Sequence, residues 1–208
     1  MRPILITFTM AALDRNGICL SQKPAVAGNL TIAGAFAASG VATLDYPRHV
    51  GIYSAGADTG RTFTVYGTDR NGATVNEAIT GPGTGLTVAG SINFKTVTRV
   101  AVDAATAGNI EVGTYSSADT AWIVLDYRPI TSIAVELSSG ASLTYGCEFT
   151  MDNVFATDFT EDDAQVLNIF DTKTTNYFAS IDYPVKAIRF AVTGFASGTL
   201  YGRIQQER

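Results

Sequence analysis

Polar and apolar residues alternate with period two along most of the chain, as in Arg61-Thr62-Phe63-Thr64-Val65-Tyr66 and Thr98-Arg99-Val100-Ala101-Val102. Successive side chains of a strand point to opposite faces, so this pattern predicts β-strands with one wet and one dry side. Thr, Val, Ile, Tyr and Phe fill the runs, and branched and aromatic side chains suit a pleated, half-buried surface. Gly, Asn, Asp or Ser interrupts the pattern roughly every eight to twelve residues, the rhythm of sandwiches and barrels. The expectation is an all-β fold of two antiparallel β-sandwich domains, Ig-like or jelly-roll-like. One segment departs from period two. From Thr160 to Phe170, a Thr precedes Glu161, Asp162 and Asp163, and the apolar residues that follow have near-helical spacing, which predicts one short helix capped by Thr160. The opening run from Met1 to Leu13 is mostly apolar behind Arg2, but Thr7 and Thr9 interrupt it and the turn residues Asp14-Arg15-Asn16-Gly17 follow. It reads as a first strand rather than an export leader, and the expected place of synthesis and use is a cytoplasm or something assembled there.

Two levels of repetition organise the strands. Asp-Arg-Asn-Gly occurs at 14–17 and again at 69–72. Asp accepts hydrogen bonds from the backbone ahead of it and Asn-Gly tolerates positive φ, so each copy is a predicted hairpin tip. A longer unit begins with Leu44-Asp45-Tyr46-Pro47, Leu125-Asp126-Tyr127-Arg128-Pro129 or Ile181-Asp182-Tyr183-Pro184. Each lead is followed by an apolar strand, a Gly-containing turn and a second strand closing on Gly67, Gly146 or Gly202. Pro fixes φ and biases its predecessor to an extended conformation, which predicts entry into the strand from a rigid turn. Val97 to Gly113 repeats the strand–Gly–strand part without the lead. The small, polar stretch from Gly113 to Thr120 separates regions that each contain such units, so domains are expected at 1–116 and 117–208.

Composition narrows function more than fold. With 46% hydrophobic and 16% charged residues in 208, the chain has the material for a packed core. A net charge of −5 and only four Lys argue against nucleic acid or an anionic membrane as partner, since both are bound through clustered Lys and Arg. Cys19 and Cys147 fall in different expected domains and read as reduced and buried. His49 is the sole histidine, which excludes a two-histidine metal site and leaves one candidate relay for a Ser or Cys nucleophile; its setting after Pro47-Arg48 reads as a strand end. Gly81-Pro82-Gly83-Thr84-Gly85 lacks the Lys-Ser/Thr ending and the following helix of a phosphate loop. Asp158-Phe159-Thr160-Glu161-Asp162-Asp163 spaces its oxygens like a calcium loop but lacks the central Gly and terminal Glu, and helix capping accounts for the same residues. Asp45, Asp126 and Asp182 recur with the repeat, which suits a turn role better than paired acids in a hydrolase. No catalytic, cofactor-binding or metal-binding residues are assigned, and the chain is not expected to be an enzyme.

Phe63-Thr64-Val65-Tyr66-Gly67-Thr68-Asp69-Arg70-Asn71-Gly72, with the continuation to Gly81-Pro82, then Phe94-Lys95-Thr96-Val97-Thr98 and Gly108-Asn109-Ile110-Glu111-Val112-Gly113, resembles a pattern of tailed-bacteriophage virion proteins. The resemblance is firm over about 63–113 and loose elsewhere, where Ala187 to Val192 and the last strand up to Gln205 look like the end of such proteins. It implies a non-enzymatic virion component, either an accessory head protein (decoration or cement) or a head–tail or tail assembly protein. Such a protein is a homo-oligomer, binds copies of itself and capsid, portal or tail proteins, and resides in the virion after assembly in the host bacterial cytoplasm. The alternative is a carbohydrate-binding or host-adhesion module using Tyr53, Tyr115 or Trp122, although the apolar run around Trp122 assigns that residue first to a core.

Overall fold

The computed structural model describes residues 3–126, 128, 131–156, 159 and 164–206. The chain is all-β and antiparallel, with no helix among the described residues. It forms two compact units, Leu13–Tyr115 and Met1–Ala12 with Ser116–Arg208. The expected domain 1–116 therefore loses its first residues to the other unit. Strand β1 (Ile4–Phe8) pairs with the last strand, β17 (Leu200–Gln206), from Ile4↔Ile204 to Phe8↔Leu200. Alternation identifies β1 as a strand, but a period of two carries no information about a partner nearly 200 positions away.

The first unit, Leu13–Tyr115, contains β2 (Cys19–Gln22), β3 (Gly28–Asn29), β4 (Ala37–Ala38), β5 (Val41–Ser54), β6 (Thr62–Thr68), β7 (Thr74–Thr80), β8 (Leu86–Ala89), β9 (Phe94–Val102) and the start of β10 (Ile110–Asp119). Its strands run in the order β10-β5-β9-β6-β7, with β2 on β10, β3 on β9, and β4 and β8 on β5. Dry-face residues of these strands, among them Leu44, Ile52, Phe63, Val65, Phe94, Val100 and Ile110, form its core.

The second unit is a two-layer sandwich. One layer is β1-β17-β12-β15, where β12 is Thr131–Leu137 and β15 is Tyr177–Ile181. The other contains β14 (Val166–Lys173), β13 (Ser142–Thr150) and β16 (Ala187–Ser197) in that order, with β11 (Ile123–Val124) and the end of β10 along β16. Phe8, Ile133, Leu143, Tyr145, Phe190 and Ile204 lie buried. Contact between the layers is close enough that a Cβ on Gly202 would stand 2.5 Å from the Phe190 ring.

The strand–turn–strand repeat takes the form of paired arches. In the second unit, β12–β13 and β16–β17 each cross from one layer to the other through a glycine at positive φ, Gly140 (72°) and Gly198 (105°). Strand β12 pairs with β17 and β13 with β16, so the arches lie on one another. Their turns interlock: Ser138 N donates to Thr199 O at 2.9 Å, and Thr199 N donates to Ser138 Oγ at 3.0 Å. In the first unit the β5–β6 and β9–β10 arches also lie side by side, but their four strands belong to one sheet, with β6 on β9 and β5 between β9 and β10. There Ala55 N donates to Asn109 O at 2.9 Å, and backbone stands where a Cβ on Gly56 or Gly108 would go.

Several local expectations change. The Asp-Tyr-Pro lead at 45–47 is not a turn: it lies inside β5, where pairing with β9 is irregular between Thr43 and Arg48. Pro lacks the N–H for a regular ladder, and a bulge is where a strand accommodates it. The lead at 182–184 does follow a strand end and precedes β16, while the lead at 125–129 is only partly among the described residues. The predicted helix is corrected over Val166–Phe170, which belongs to β14 and pairs with β13 from Thr150↔Val166 to Cys147↔Phe170. Its apolar residues fit either period, and the tertiary pairing decides. Residues 160–163 lie outside the described residues. Asp-Arg-Asn-Gly at 69–72 does tip the β6–β7 hairpin: Asp69 Oδ1 accepts from Asn71 N and Ala73 N, and Gly72 has φ 85°. The copy at 14–17 makes the same Asx contact, Asn16 N to Asp14 Oδ1 at 3.2 Å, but joins β1 to β2, which do not pair with each other. Cys19 and Cys147 are buried and free, and burial raises the pKa of both thiols, that of Cys19 to about 12.

Candidate interaction surface

The buried charged groups are tied into the scaffold. Arg48 is fully buried; Nε and Nη2 donate to Tyr115 O at 3.2 and 2.7 Å, and Nη1 pairs with Asp45 at 3.2 Å. Burial lowers the Arg48 pKa from its usual value against the opposing charge of Asp45, yet leaves it a cation. Asp58 sits under the arch turns of the first unit. Ser54 Oγ donates to it at 2.6 Å, Ala107 N at 2.7 Å and Gly108 N at 3.3 Å. Burial by itself raises its carboxyl pKa, but these donors and the Arg61 charge outweigh it, and the net shift is downward. Arg189 bridges Glu148 (2.7 Å) and Asp119 (3.2 Å). Glu77, on the edge strand β7, turns inward and accepts from Ser91 N at 2.5 Å and Ile92 N at 3.2 Å. An inward acid on an edge strand discourages pairing with a stray chain.

The residues weighed for chemistry do not assemble. His49 is half-buried within β5. Asp45 belongs to the first unit and engages Arg48, whereas Asp126 and Asp182 are exposed in the second. Gly81 to Gly85 links β7 to β8; Gly81 packs against the Asp58 carbonyl and Gly85 turns with φ 72°. Asp158 and residues 160–163 of the calcium-like segment lie outside the described residues. Two of the aromatic candidates carry a guanidinium on a ring face: Arg15 stands 4.0 Å from the Tyr53 centroid and Arg189 stands 4.6 Å from that of Trp122. Trp122 is half-buried, not fully in the core.

A different surface stands out. The outward face of the β1-β17-β12-β15 layer exposes Leu5 (67%), Phe178 (64%) and Tyr201 (40%). Cross-strand register aligns Leu5, Arg203, Ala134 and Phe178 in one row and Thr7, Tyr201 and Glu136 in the next. A shallow cleft of about 290 Å³ opens between Leu5, Thr7, Glu136, Tyr201 and Arg203. A second hollow of about 400 Å³, beside the arch turns, is lined by Ser142, Thr144, Thr174, Gly194, Phe195 and their neighbours and has no charged side chain. Sequence reasoning passed over the outward face because it asked which residues carry reactions. Its signal was present: Ile4-Leu5-Ile6, Tyr177-Phe178 and Leu200-Tyr201 are apolar in both phases of a period-two strand, and one phase must then face outward. No family model matches the chain, and no curated protein sequence matches it.

Proposed function

We propose that the chain is a non-enzymatic structural component of a tailed-phage virion, an accessory head protein or a head–tail or tail assembly subunit that works through contacts with copies of itself and with neighbouring virion proteins. The observation that carries this reading is the exposed apolar face of the four-stranded layer, a surface suited to contact and not to turnover. Two others support it. The resemblance over 63–113 takes in three neighbouring strands, β9, β6 and β7, and not loop vocabulary alone, while β10 is set apart from them by β5. Arg48, Asp58, Glu77 and Arg189 each serve the scaffold and are not gathered in a cleft. The adhesion reading has weaker support, because Arg15 and Arg189 occupy ring faces that a sugar would stack against.

Mass spectrometry and electron microscopy of purified particles test the proposal. The chain is expected in a fixed copy number per particle, with density at symmetry-related positions. Its absence from particles would sink the virion reading. Glycan binding by the isolated protein that is lost on removal of Tyr53 or Trp122 would replace it with adhesion.

A further inference from the structure

We propose that the outward face of the β1-β17-β12-β15 layer is a self-association site at which a second copy of this chain docks face to face about a two-fold axis, exchanging Glu136 of each copy with Arg203 of the other. This deepens the assembly reading above by naming the surface and the partner, and it is argued from the face alone.

Three observations select a second copy as occupant. The outward positions of these paired strands carry one acid and one base, Glu136 on β12 and Arg203 on β17. Both are exposed, and neither has an ion-pair partner among the described residues. They sit diagonally, because Arg203 stands opposite Ala134 and Glu136 opposite Tyr201. A two-fold axis lying in the plane of contact and bisecting that diagonal brings Glu136 of each copy to Arg203 of the other, so one operation makes two ion pairs. A partner of one charge sign would match only half of this pattern. The remaining outward side chains are apolar or neutral, with Leu5 and Phe178 in the row of Arg203 and Tyr201 beside Glu136. Face-to-face packing removes them from water, and sheets stack in this way at about 10 Å. The face is small. Four strands about 4.8 Å apart, each about five residues long at about 3.4 Å per residue, span roughly 20 by 17 Å. Stable complexes bury about 800 Å² per partner, so this contact alone gives a weak dimer, and repeated contacts in an assembly would supply the rest.

Charge exchange separates this proposal from general stickiness. Sedimentation of the full chain at increasing concentration is expected to show a reversible monomer–dimer equilibrium that weakens with added salt. Glu136→Arg makes the pair of positions wholly positive and Arg203→Glu makes it wholly negative, so each single variant is expected to self-associate at least about tenfold more weakly. Mixing the two variants restores opposite charges at both contacts and is expected to return dimerisation to within about threefold of the original. The double variant E136R/R203E is expected to dimerise by itself. Leu5→Ser with Phe178→Ser, outward changes that leave the core intact, should abolish the dimer even at low salt, with circular dichroism showing the fold retained. A chain that stays monomeric at several hundred micromolar overturns the proposal, as do single variants that associate unchanged or a mixture that fails to recover. Presence in particles separates the two readings: an unmodified chain that is found in particles but stays monomeric in solution removes this face and leaves the virion role, while an unmodified chain that dimerises but is never found in particles does the reverse.

Discussion

Arg48 and Asp58 show how the first unit uses charge, with opposite consequences for mutation and for pH. The Arg48 guanidinium satisfies Tyr115 O twice and meets Asp45 with no exposure to solvent. Truncation to Ala would leave a cavity and a buried carbonyl without its donors, and an expected loss of about 3–5 kcal/mol. Arg48→Met fills most of the volume and should lose less. The difference between the two urea midpoints measures packing against hydrogen bonding, and equal losses would mean that the cavity is irrelevant. Asp58 is the pH-sensitive group. Its folded-state pKa lies below the unfolded value of about 3.9, so its contribution is present above that pH and disappears as pH falls through the folded value. Urea denaturation across pH 2 to 7 should show stability falling with acid below about pH 4. Asp58→Asn should be less stable at neutral pH by about 1–3 kcal/mol, with a shallower acid slope. An unchanged slope would assign acid sensitivity to other carboxylates. Neither role was readable beforehand, because Pro47-Arg48 and Asp58 look like loop and surface residues until the arches enclose them.

At the scale of elements, the repeat was legible in outline and its irregularities were not. Three second strands close on glycine, yet those glycines have different work. Gly67 and Gly146 both sit where pairing shifts register, against β9 and β14 respectively, whereas Gly202 lies in an unbroken ladder. The Thr96 carbonyl occupies the place of a Cβ on Gly67. On Gly146 a Cβ would come 2.9 Å from Phe170 O, and on Gly202 it would come 2.5 Å from the ring of Phe190, which is fully buried and has little room to yield. Gly→Val at the three positions is therefore expected to destabilise in the order Gly67, Gly202, Gly146, with the first losing about 3 kcal/mol or more and the last about 1. Phe190→Leu should relieve Gly202→Val and leave Gly67→Val unrelieved. Thermal melts of the three variants and the two doubles check this, and equal losses would argue for equivalent positions after all. Bulges and arch contacts depend on which strands meet, and that is decided by pairings far apart in sequence. The helix expected before β14 failed for the same reason over Val166–Phe170.

The molecule as a whole turns on β1. The stretch 113–120 reads in sequence as small and turn-forming, yet all but its last residue lies in strand β10 (Ile110–Asp119), within which the chain passes from one unit to the other at Tyr115/Ser116; small polar residues serve a strand there and not a linker. The return of residues 1–12 to the other unit left no local trace, since an amphipathic strand is equally content on any sheet edge with an open dry face. Its consequence is specific. Ile4 to Phe8 cover one side of β17 across five paired positions, and Phe8 and Met10 are buried. Removing residues 1–12 would leave β17 as an open edge and take an aromatic ring from the core, and the ring alone is worth about 3–5 kcal/mol. Hydrogen exchange of the truncated chain should show lost protection at 200–206 and 131–137, where β17 and β12 share a ladder, while 62–68 and 94–102 in the other unit keep theirs. Phe8→Ala in the intact chain should reproduce part of the effect without opening the edge. Unchanged protection at 200–206 would mean that β1 is an accessory to the second unit and not a member of its sheet. Since Leu5 and Thr7 project from β1 onto the outward face, the same truncation should also remove self-association.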